Sequence, residues 1–311
     1  MRFKVAFLLA ALAAVGSTGC KKRGGGGGGW LVGSEGMMAQ VDKNGQLGEG
    51  YDLGATENLN GIACRYEAEA WVVGAHGTLL YTADGGESWE SQNVGTNADL
   101  YALATQDSGP VYLAGDGVFL TANPNYTTGE ATWQQLGDGV TKYRGVAAAQ
   151  HADTVLAIGQ EGSVWFLAGV QMKKQTTLAN MRAIAVSPNG VNAIVVGDGA
   201  WRSHDAGITW TAVTVDSSFA YQSVRIDDNG DAIAVGNAGL VSKIDIEGRV
   251  LTQRVGTADF KTVHTGYTGT GYASGVGGQV YLTHDGGWSW TAGPVVGGTV
   301  LAADEIGAGH N

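Results

Sequence analysis

Seven short apolar runs recur along this chain of 311 residues, and each ends at a glycine that opens a tight turn into another apolar run. The glycines are Gly33, Gly74, Gly115, Gly159, Gly197, Gly236 and Gly275, separated by 41, 41, 44, 38, 39 and 39 residues. Apolar runs bounded by glycine predict β-strands, and a period of about 40 residues with several strands per repeat is typical of β-propeller blades. The pattern therefore predicts an all-β, seven-bladed β-propeller with four antiparallel strands in each blade.

The ends of the chain predict how the ring closes. First strands of the repeats begin at Leu59, Leu100, Tyr143, Met181, Tyr221 and Phe260, which is one fewer than the number of second strands. Residues 299–303 form one more apolar run, and no second strand follows it, whereas the polyglycine before Trp30 is unsuited to a first strand. We therefore expect the C-terminal run to join the N-terminal blade and close the ring, which removes exposed strand edges.

The N-terminal segment is predicted to be a targeting signal that is not part of the fold. Arg2 and Lys4 come before an apolar stretch at 5–16 that is too short to span a bilayer, and Ser17-Thr18-Gly19-Cys20 follows. This segment resembles a bacterial lipoprotein signal, which implies cleavage before Cys20 and acylation of that cysteine. It departs from the usual pattern at Ser17, where an apolar residue is common. The alternative is an ordinary secretory signal that is cut nearby.

These readings divide the chain into a signal peptide at 1–19, a lipidated cysteine with a polyglycine tether at 20–29, a propeller at 30–304 and a C-terminal tail at 305–311. Residues 24–29 are all glycine, which is the composition of a flexible tether. Lys21 stands where an aspartate retains some lipoproteins at the inner membrane. We therefore expect a periplasm-facing lipoprotein of the cell envelope, at the outer membrane rather than the inner one.

Charge and cofactor chemistry narrow the list of partners. Without the five basic residues of 1–29, 13 Lys and Arg remain against 29 Asp and Glu, a net charge of about −16. Because a field of this sign repels phosphate, we expect no nucleic acid partner. The six histidines show no ligand spacing with one another or with Cys64, and the Gly-x-Gly strings lead into no helix. We therefore expect neither a metal nor another cofactor.

Three repeats carry a sharper motif, Ser/Thr-x-Asp-x-Gly-x-Ser/Thr-Trp, between the third and fourth strands. Its aspartates and tryptophans are Asp84 with Trp89, Asp205 with Trp210, and Asp285 with Trp290. An aspartate at this point accepts hydrogen bonds from N–H groups of its own turn, and the glycine adopts a backbone conformation that other residues resist. We interpret these six residues as structural and not as catalytic.

The motif resembles the Asp-box, also called the BNR repeat, of sialidases, sortilin-type receptors and the photosystem II stability/assembly factor family. The blade from Trp71 to Trp89 is most similar to the last of these families, and the resemblance extends over all seven repeats. It implies an exported, non-enzymatic scaffold that binds protein partners during their assembly. Membrane proteins are among these partners. Fold resemblance alone does not transfer the partner.

A carbohydrate-binding or glycoside-hydrolase propeller, sialidase-like or related, is the alternative, and a purely structural envelope component is a third reading. Sialidases carry an Arg-Ile-Pro segment, which Arg225-Ile226-Asp227 approaches without the proline, and they have six blades. Paired carboxylates on two loops could still stand at a hydrolytic separation. We expect no enzyme. A carbohydrate protein would gather several acids and exposed aromatic side chains at one mouth of the channel.

The strongest candidate surface follows from aligning the first strands, which line the central channel of a propeller. Equivalent positions, two before a buried aliphatic residue, hold Asn60, Tyr101, Arg144, Arg182, Gln222 and Lys261, and we call these six residues the polar ring. Three of them are cationic, whereas turns on the same face carry acids such as Asp198. The cations are predicted either to pair with those acids or to bind a carboxylate of a protein partner. Trp288, beside the third motif, is a weaker candidate contact.

Overall fold

A computed structural model describes residues 28–42, 44–48, 56–65, 68–107, 109–125, 131–178, 180–216, 218–266 and 269–306. The predicted signal peptide, Cys20 and most of the predicted tether and tail lie outside the described residues. Within the described ranges, β-strands are connected by turns and by single-turn 3-10 segments at Ser34–Gly36, Ala75–Gly77, Gln160–Gly162, Asn237–Gly239 and Val276–Gly278. In the same ranges no helix is long and apolar enough to cross a membrane.

The strands form six antiparallel sheets of four strands and one sheet of three. The chain begins with β1 (Gly28–Gly33) and β2 (Met38–Val41). Blade 1 consists of β3 (Leu59–Arg65), β4 (Glu69–Gly74), β5 (Leu79–Thr82) and β6 (Glu90–Ser91). Blade 2 consists of β7 (Leu100–Thr105), β8 (Val111–Gly115), β9 (Phe119–Ala122) and β10 (Gln134–Gln135). Blade 3 consists of β11 (Tyr143–Ala148), β12 (Val155–Gly159), β13 (Ser163–Ala168) and β14 (Gln171–Thr177).

The second half of the chain repeats the same order. Blade 4 consists of β15 (Met181–Val186), β16 (Ala193–Gly197), β17 (Ala200–Ser203) and β18 (Thr211–Val213). Blade 5 consists of β19 (Tyr221–Ile226), β20 (Ala232–Gly236), β21 (Leu240–Ile244) and β22 (Val250–Arg254). Blade 6 consists of β23 (Phe260–Thr265), β24 (Gly271–Gly275), β25 (Gln279–Thr283) and β26 (Thr291–Val295), and β27 (Val300–Ile306) follows it. The six predicted first strands all begin at the predicted residues.

The last strand of the chain closes the ring, as the sequence predicts. β27 pairs antiparallel with β1, where Leu31 lies opposite Ala303 and Trp30 opposite Asp304. These two strands and β2 form the closing blade, in the order β2-β1-β27. The inner strands β3, β7, β11, β15, β19, β23 and β27 contact one another in cyclic order around the central channel. The pairing of β1 with β27 extends from Gly28, opposite Ile306, to Gly33, opposite Val300.

The hydrophobic core lies between blades. The second strands β4, β8, β12, β16, β20 and β24 are buried along their whole length, because neighbouring blades cover both faces. This explains why they read as continuous apolar runs in the sequence. Side chains of adjacent blades form shared clusters: Trp71 of blade 1 packs with Leu113 of blade 2, and Trp30 of the closing blade packs with Val72 of blade 1.

None of the seven repeat glycines adopts the left-handed conformation, and six of them are required by a close approach of two backbones. The exception is Gly159, where a Cβ would meet the side chain of Ser163. A Cβ on Gly197 would lie 1.9 Å from Asn180 O, the carbonyl just before β15. The next residue, Asp198, donates its N–H to that same carbonyl at 3.3 Å. Positive φ falls on the residue two after the glycine, at Glu35, His76, Glu161 and Ala238. A side chain at the repeat glycine would therefore push the first strand away from the second.

Candidate functional site

The polar ring lies at a β-bulge in each of six blades. In blade 1, Leu59 pairs with Gly74 and Gly61 with Val73, so Asn60 has no opposite residue. The same register shift leaves Tyr101, Arg144, Arg182, Gln222 and Lys261 without an opposite residue. β-Bulges bend a strand and re-aim the extra side chain. We call the end of the channel at which these inner strands begin the ring mouth.

The closing strand has an equivalent bulge that the sequence analysis missed. Val32 pairs with Ala302 and Gly33 with Val300, which leaves Leu301 without an opposite residue. Leu301 is half-buried, so the seventh position of the ring mouth is apolar. Aligning residues 299–303 with the other first strands would have found this position, because the run had already been identified as a first strand.

Three members of the polar ring are held by hydrogen bonds. Asn60 Nδ2 donates to Leu100 O of the next blade at 2.9 Å. Gln222 Nε2 donates to Asn237 Oδ1, in a turn of its own blade, at 3.0 Å. The guanidinium of Arg182 lies 2.6 Å from Asp198 Oδ1. Arg182 therefore pairs with a turn acid, which is one of the two outcomes that the sequence left open.

Arg144 and Lys261 have a different environment. Arg144 is exposed and Lys261 is half-buried, and neither side chain forms a hydrogen bond or an ion pair with any residue that the structure describes. Asp116, a turn acid of blade 2, binds Lys142, with 2.7 Å between Oδ2 and Nζ. That hydrogen bond raises the pKa of Lys142, which also lies 5.8 Å from the centre of the Tyr101 ring. Two cations thus remain available at the ring mouth.

The aspartates of the three turn motifs are fully occupied within their own turns. Asp205 accepts the N–H and the hydroxyl of Thr209 at 2.8 and 2.7 Å, and the hydroxyl of Ser203 at 2.7 Å. The hydrogen bonds from Thr209 lower the pKa of Asp205 to about 2. Asp285 has the same arrangement, and the hydrogen bonds from Ser289 lower its pKa to about 2. Asp84 accepts equivalent bonds from Ser88 and Thr82.

The tryptophans of the motif play two different parts. Trp210 Nε1 donates to Gly207 O at 3.0 Å, and Trp290 Nε1 donates to Gly287 O at 3.1 Å. Trp89 instead packs edge-on against Trp30, with 5.6 Å between the ring centroids. Trp89 therefore contacts the closing blade, whereas Trp210 and Trp290 form hydrogen bonds within their own turns.

A cavity of about 720 Å³ occupies the other end of the channel. Its walls are the later residues of the inner strands, beginning at Ile62, Leu103, Val146, Ile184 and Val224. No member of the polar ring is among the described residues that line it. We call this end the cavity mouth. The sequence does not reveal this cavity, because the alignment of the repeats identifies the inner strands but gives no width for the channel.

An aspartate–histidine pair spans the ring closure inside this cavity. His264 Nδ1 lies 2.8 Å from Asp304 Oδ1, and Asp304 Oδ2 accepts the Cys64 N–H at 2.8 Å. Burial alone would raise the pKa of Asp304, but His264, Arg225 and the Cys64 N–H together lower it. Since Asp304 lies on β27, His264 on β23 and Cys64 on β3, one carboxylate connects the closing blade to both of its neighbours.

The segment that approaches the sialidase arginine motif also lies at the cavity mouth. Arg225 is exposed there, at the end of β19. Asp227 accepts the Asp231 N–H at 2.9 Å within the turn that follows β19, and burial raises the pKa of Asp227. Among the described residues, no three or more His, Cys, Asp and Glu side chains are grouped so that they could hold a metal ion.

Comparisons with known proteins agree on the fold. No protein-family model and no curated protein matches the chain. A structure of YCF48 bound to D1 peptide is similar over 76% of this chain and 82% of its own, with 16% identity and a TM-score of 0.60. A protein from Lactobacillus plantarum is similar over 90% of this chain and 99% of its own, with 13% identity and a TM-score of 0.70. Virginiamycin B lyase from Staphylococcus aureus is similar over 76% of this chain and 84% of its own, with 10% identity and a TM-score of 0.64. This chain is a seven-bladed β-propeller that shares its fold with YCF48 and with a lyase.

Proposed function

We propose that this protein is a lipid-anchored, extracytoplasmic and non-catalytic scaffold, which binds an acidic or carboxylate-bearing segment of a protein partner at the ring mouth. The observation that carries the proposal is the availability of Arg144 and Lys261. Both are cations without a described hydrogen bond or ion pair, in a domain with a net charge of about −16. A carboxylate that approaches them forms charge-assisted hydrogen bonds, which are about twice as strong as neutral ones.

The ring mouth offers apolar contact as well as charge. Leu301 occupies its seventh position, and Val140 and Val276 are exposed on loops close to the inner strands of Arg144 and Lys261. Interfaces combine such apolar groups at the centre with charged groups that set orientation. A peptide segment that presents a carboxylate beside apolar side chains fits this surface.

The comparison and the N-terminus support the remaining parts of the proposal. YCF48, which has the same fold, has been solved with a bound D1 peptide, and this favours a protein partner here. The lipoprotein-like segment up to Cys20 supports an anchor at the envelope, facing the periplasm and at the outer membrane rather than the inner. An anchored scaffold is placed to meet membrane proteins, so we propose that the partner is one of them.

The test compares two double variants of the full-length protein. Arg144→Glu with Lys261→Glu reverses both available cations at the ring mouth. Lys173→Glu with Lys174→Glu makes the same charge change on the exposed outer strand β14. After crosslinking in native membranes, partners are captured through a C-terminal tag and quantified by mass spectrometry.

We expect the ring-mouth variant to lose its partner at least tenfold relative to wild type and to the β14 variant. A hydrogen bond to a charged group contributes about 1.5–3 kcal/mol, and 1.4 kcal/mol corresponds to a factor of ten in affinity. Thermal midpoints should agree among the three proteins, because neither cation has a described partner in the fold. Equal recovery of partners from both double variants would refute docking at the ring mouth.

A further inference from the structure

The cavity in the channel extends outward at the cavity mouth as a groove between blades 5 and 6. Its lining continues from the channel past the turn after β19 and past Lys243 to the third turn motif, where it includes Asp285 and Trp288. A volume of about 720 Å³ is in the range of small-molecule sites, which is about 300–1,000 Å³. The groove is distinct from the ring mouth, since the two lie at opposite ends of the channel.

Trp288 forms the outer end of this groove and is held in place while it stays exposed. Its side chain is 60% exposed, and Lys243 Nζ lies 4.0 Å from the centre of its ring. The same ammonium group donates to Gly286 O at 2.8 Å, and Gln253 Nε2 donates to Gly287 O at 3.2 Å. The turn is therefore fixed, Lys243 covers one face of the indole, and the rest of the ring is open to solvent.

The turn motif itself does not require a tryptophan at this position. The equivalent residues are Glu87 in the first motif and Ile208 in the second. Ile208 is 68% exposed, and it lies outside the described lining of the cavity. An exposed aromatic residue thus occurs at the one of these three positions that borders the cavity.

Three polar side chains in the groove form no hydrogen bond or ion pair with the residues that the structure describes. They are Arg225 at the end of β19 and Asp228 and Asn229 in the turn that follows. The neighbouring acids are already engaged: Asp231 accepts the Ile246 N–H at 2.9 Å, as Asp227, Asp285 and Asp304 accept the bonds given above. One hairpin therefore offers a guanidinium, a carboxylate and an amide to the same space.

We propose that this groove binds a neutral or amine-bearing oligosaccharide. The exposed face of Trp288 packs against the apolar face of a sugar ring. Arg225 donates to hydroxyl groups of the next rings toward the channel, and Asp228 and Asn229 accept from their hydroxyl or amino groups. A ligand site of this kind combines an apolar contact surface with a few polar groups that fix orientation. Acids and an exposed aromatic side chain meet at one mouth, which is the arrangement expected of a carbohydrate protein.

Charge separates this ligand class from anionic sugars. Six aspartates line the cavity, whereas Arg225, Lys243 and Arg65 are its cationic members. Arg65 is buried and pairs with Glu69 at 2.9 Å. Lys243 is engaged with Gly286. The guanidinium of Arg225 therefore faces a negatively charged lining, in a domain with a net charge of about −16. Such a field repels carboxylated sugars and attracts amines.

The test titrates the full-length protein with three defined probes in calorimetry: a glucosamine oligomer, a neutral glucose oligomer and an oligogalacturonate. We expect the first two to bind and the glucosamine oligomer to bind more tightly at low ionic strength. Trp288→Ala should weaken both at least tenfold. Ile208→Ala is the matched control, because it removes an exposed apolar side chain from the equivalent turn outside the groove, and it should leave the affinities within twofold of wild type.

A charge-specific variant sharpens the result. Asp228→Asn should reduce the preference for the glucosamine oligomer over the glucose oligomer, with little change for the latter. The proposal is overturned if neither uncharged nor amine-bearing oligomers bind at millimolar concentration, or if the oligogalacturonate binds best. It is also overturned if Trp288→Ala and Ile208→Ala have equal effects. A basic peptide that binds through Trp288 in the absence of sugar, but displaces no bound sugar, would overturn it as well.

Discussion

Replacing the repeat glycine of blade 4 tests why this residue recurs in every blade. In Gly197→Ala, the new Cβ would lie 1.9 Å from Asn180 O and 2.8 Å from the Cα of Met181. Real Cβ contacts are essentially never shorter than 3.0 Å, so the start of β15 must move by about 1 Å or more. That movement separates Asp198 N from Asn180 O, which are 3.3 Å apart in the native turn.

The expected cost follows from these two changes. Overpacking costs about 1–3 kcal/mol, and a lost hydrogen bond about 0.5–1.5 kcal/mol. We therefore expect Gly197→Ala to lower the free energy of unfolding by about 2–4 kcal/mol. This is a large fraction of the roughly 5–15 kcal/mol that stabilises a typical domain. The displaced segment leads directly into the bulge at Arg182, so the ion pair of Arg182 with Asp198 should weaken too.

Urea unfolding followed by fluorescence measures this loss, and two further variants grade it. Gly199→Ala lies in the same turn, but its Cβ would meet only Trp201 Nε1 at 4.0 Å and its φ is not left-handed, so we expect a change below about 0.5 kcal/mol. In Gly159→Ala the nearest atom is the Ser163 side-chain oxygen at 2.6 Å, which can rotate away. Its cost should fall between the other two. If Gly197→Ala were as mild as Gly199→Ala, the close approach of the strands would not explain the glycine.

Two more predictions concern the turn motifs and the anchor. Hydrogen bonds from Ser289 hold the pKa of Asp285 at about 2, below its unfolded value of about 3.9. The stabilisation by this carboxylate is therefore complete above about pH 4 and is lost as the pH falls through about 2. Asp285→Asn should lower the thermal midpoint at pH 7, and the difference from wild type should disappear near pH 2; a difference that persists there would show that the charge is not its source. Cys20→Ser should move the protein from the membrane fraction to the soluble periplasmic fraction and abolish labelling with radioactive fatty acid, whereas retention and labelling of this variant would refute lipidation at Cys20.

The fold was predictable because its signal is local and repeated. Each second strand is buried on both faces, so it appears as an apolar run, and the glycine after it marks a turn that recurs once per blade. Leu59 and Phe260 begin first strands where the alignment predicts, and β27 closes the ring on β1. The reason for the repeat glycine was less accessible. The glycine has an extended backbone, and what requires it is the contact with Asn180 or the equivalent residue. No local pattern in the sequence reveals that contact.

The equivalence of the six polar-ring positions was predictable, whereas the contacts of their side chains were not. Alignment of the first strands placed six polar residues at one mouth, and the structure shows that each occupies a bulge. The alignment could not separate Arg182, which pairs with Asp198, from Arg144, which has no described partner, because both have an acid in the following turn. That difference depends on side-chain reach across the turn.

The amino-acid sequence by itself determined the number of blades, the order of strands and the closure of the ring, because each of these follows from local periodicity and from the count of first and second strands. Tertiary structure alone decided the bulges, the width of the channel and the groove that ends at Trp288. It also brought Asp304 to His264 and Cys64, residues that are far apart in the chain. Such contacts arise where seven blades meet around one axis, and the packing of neighbours sets their distances. The physical reason is that periodicity encodes which backbone groups pair, whereas a site depends on which unpaired side chains that packing leaves within reach of one another.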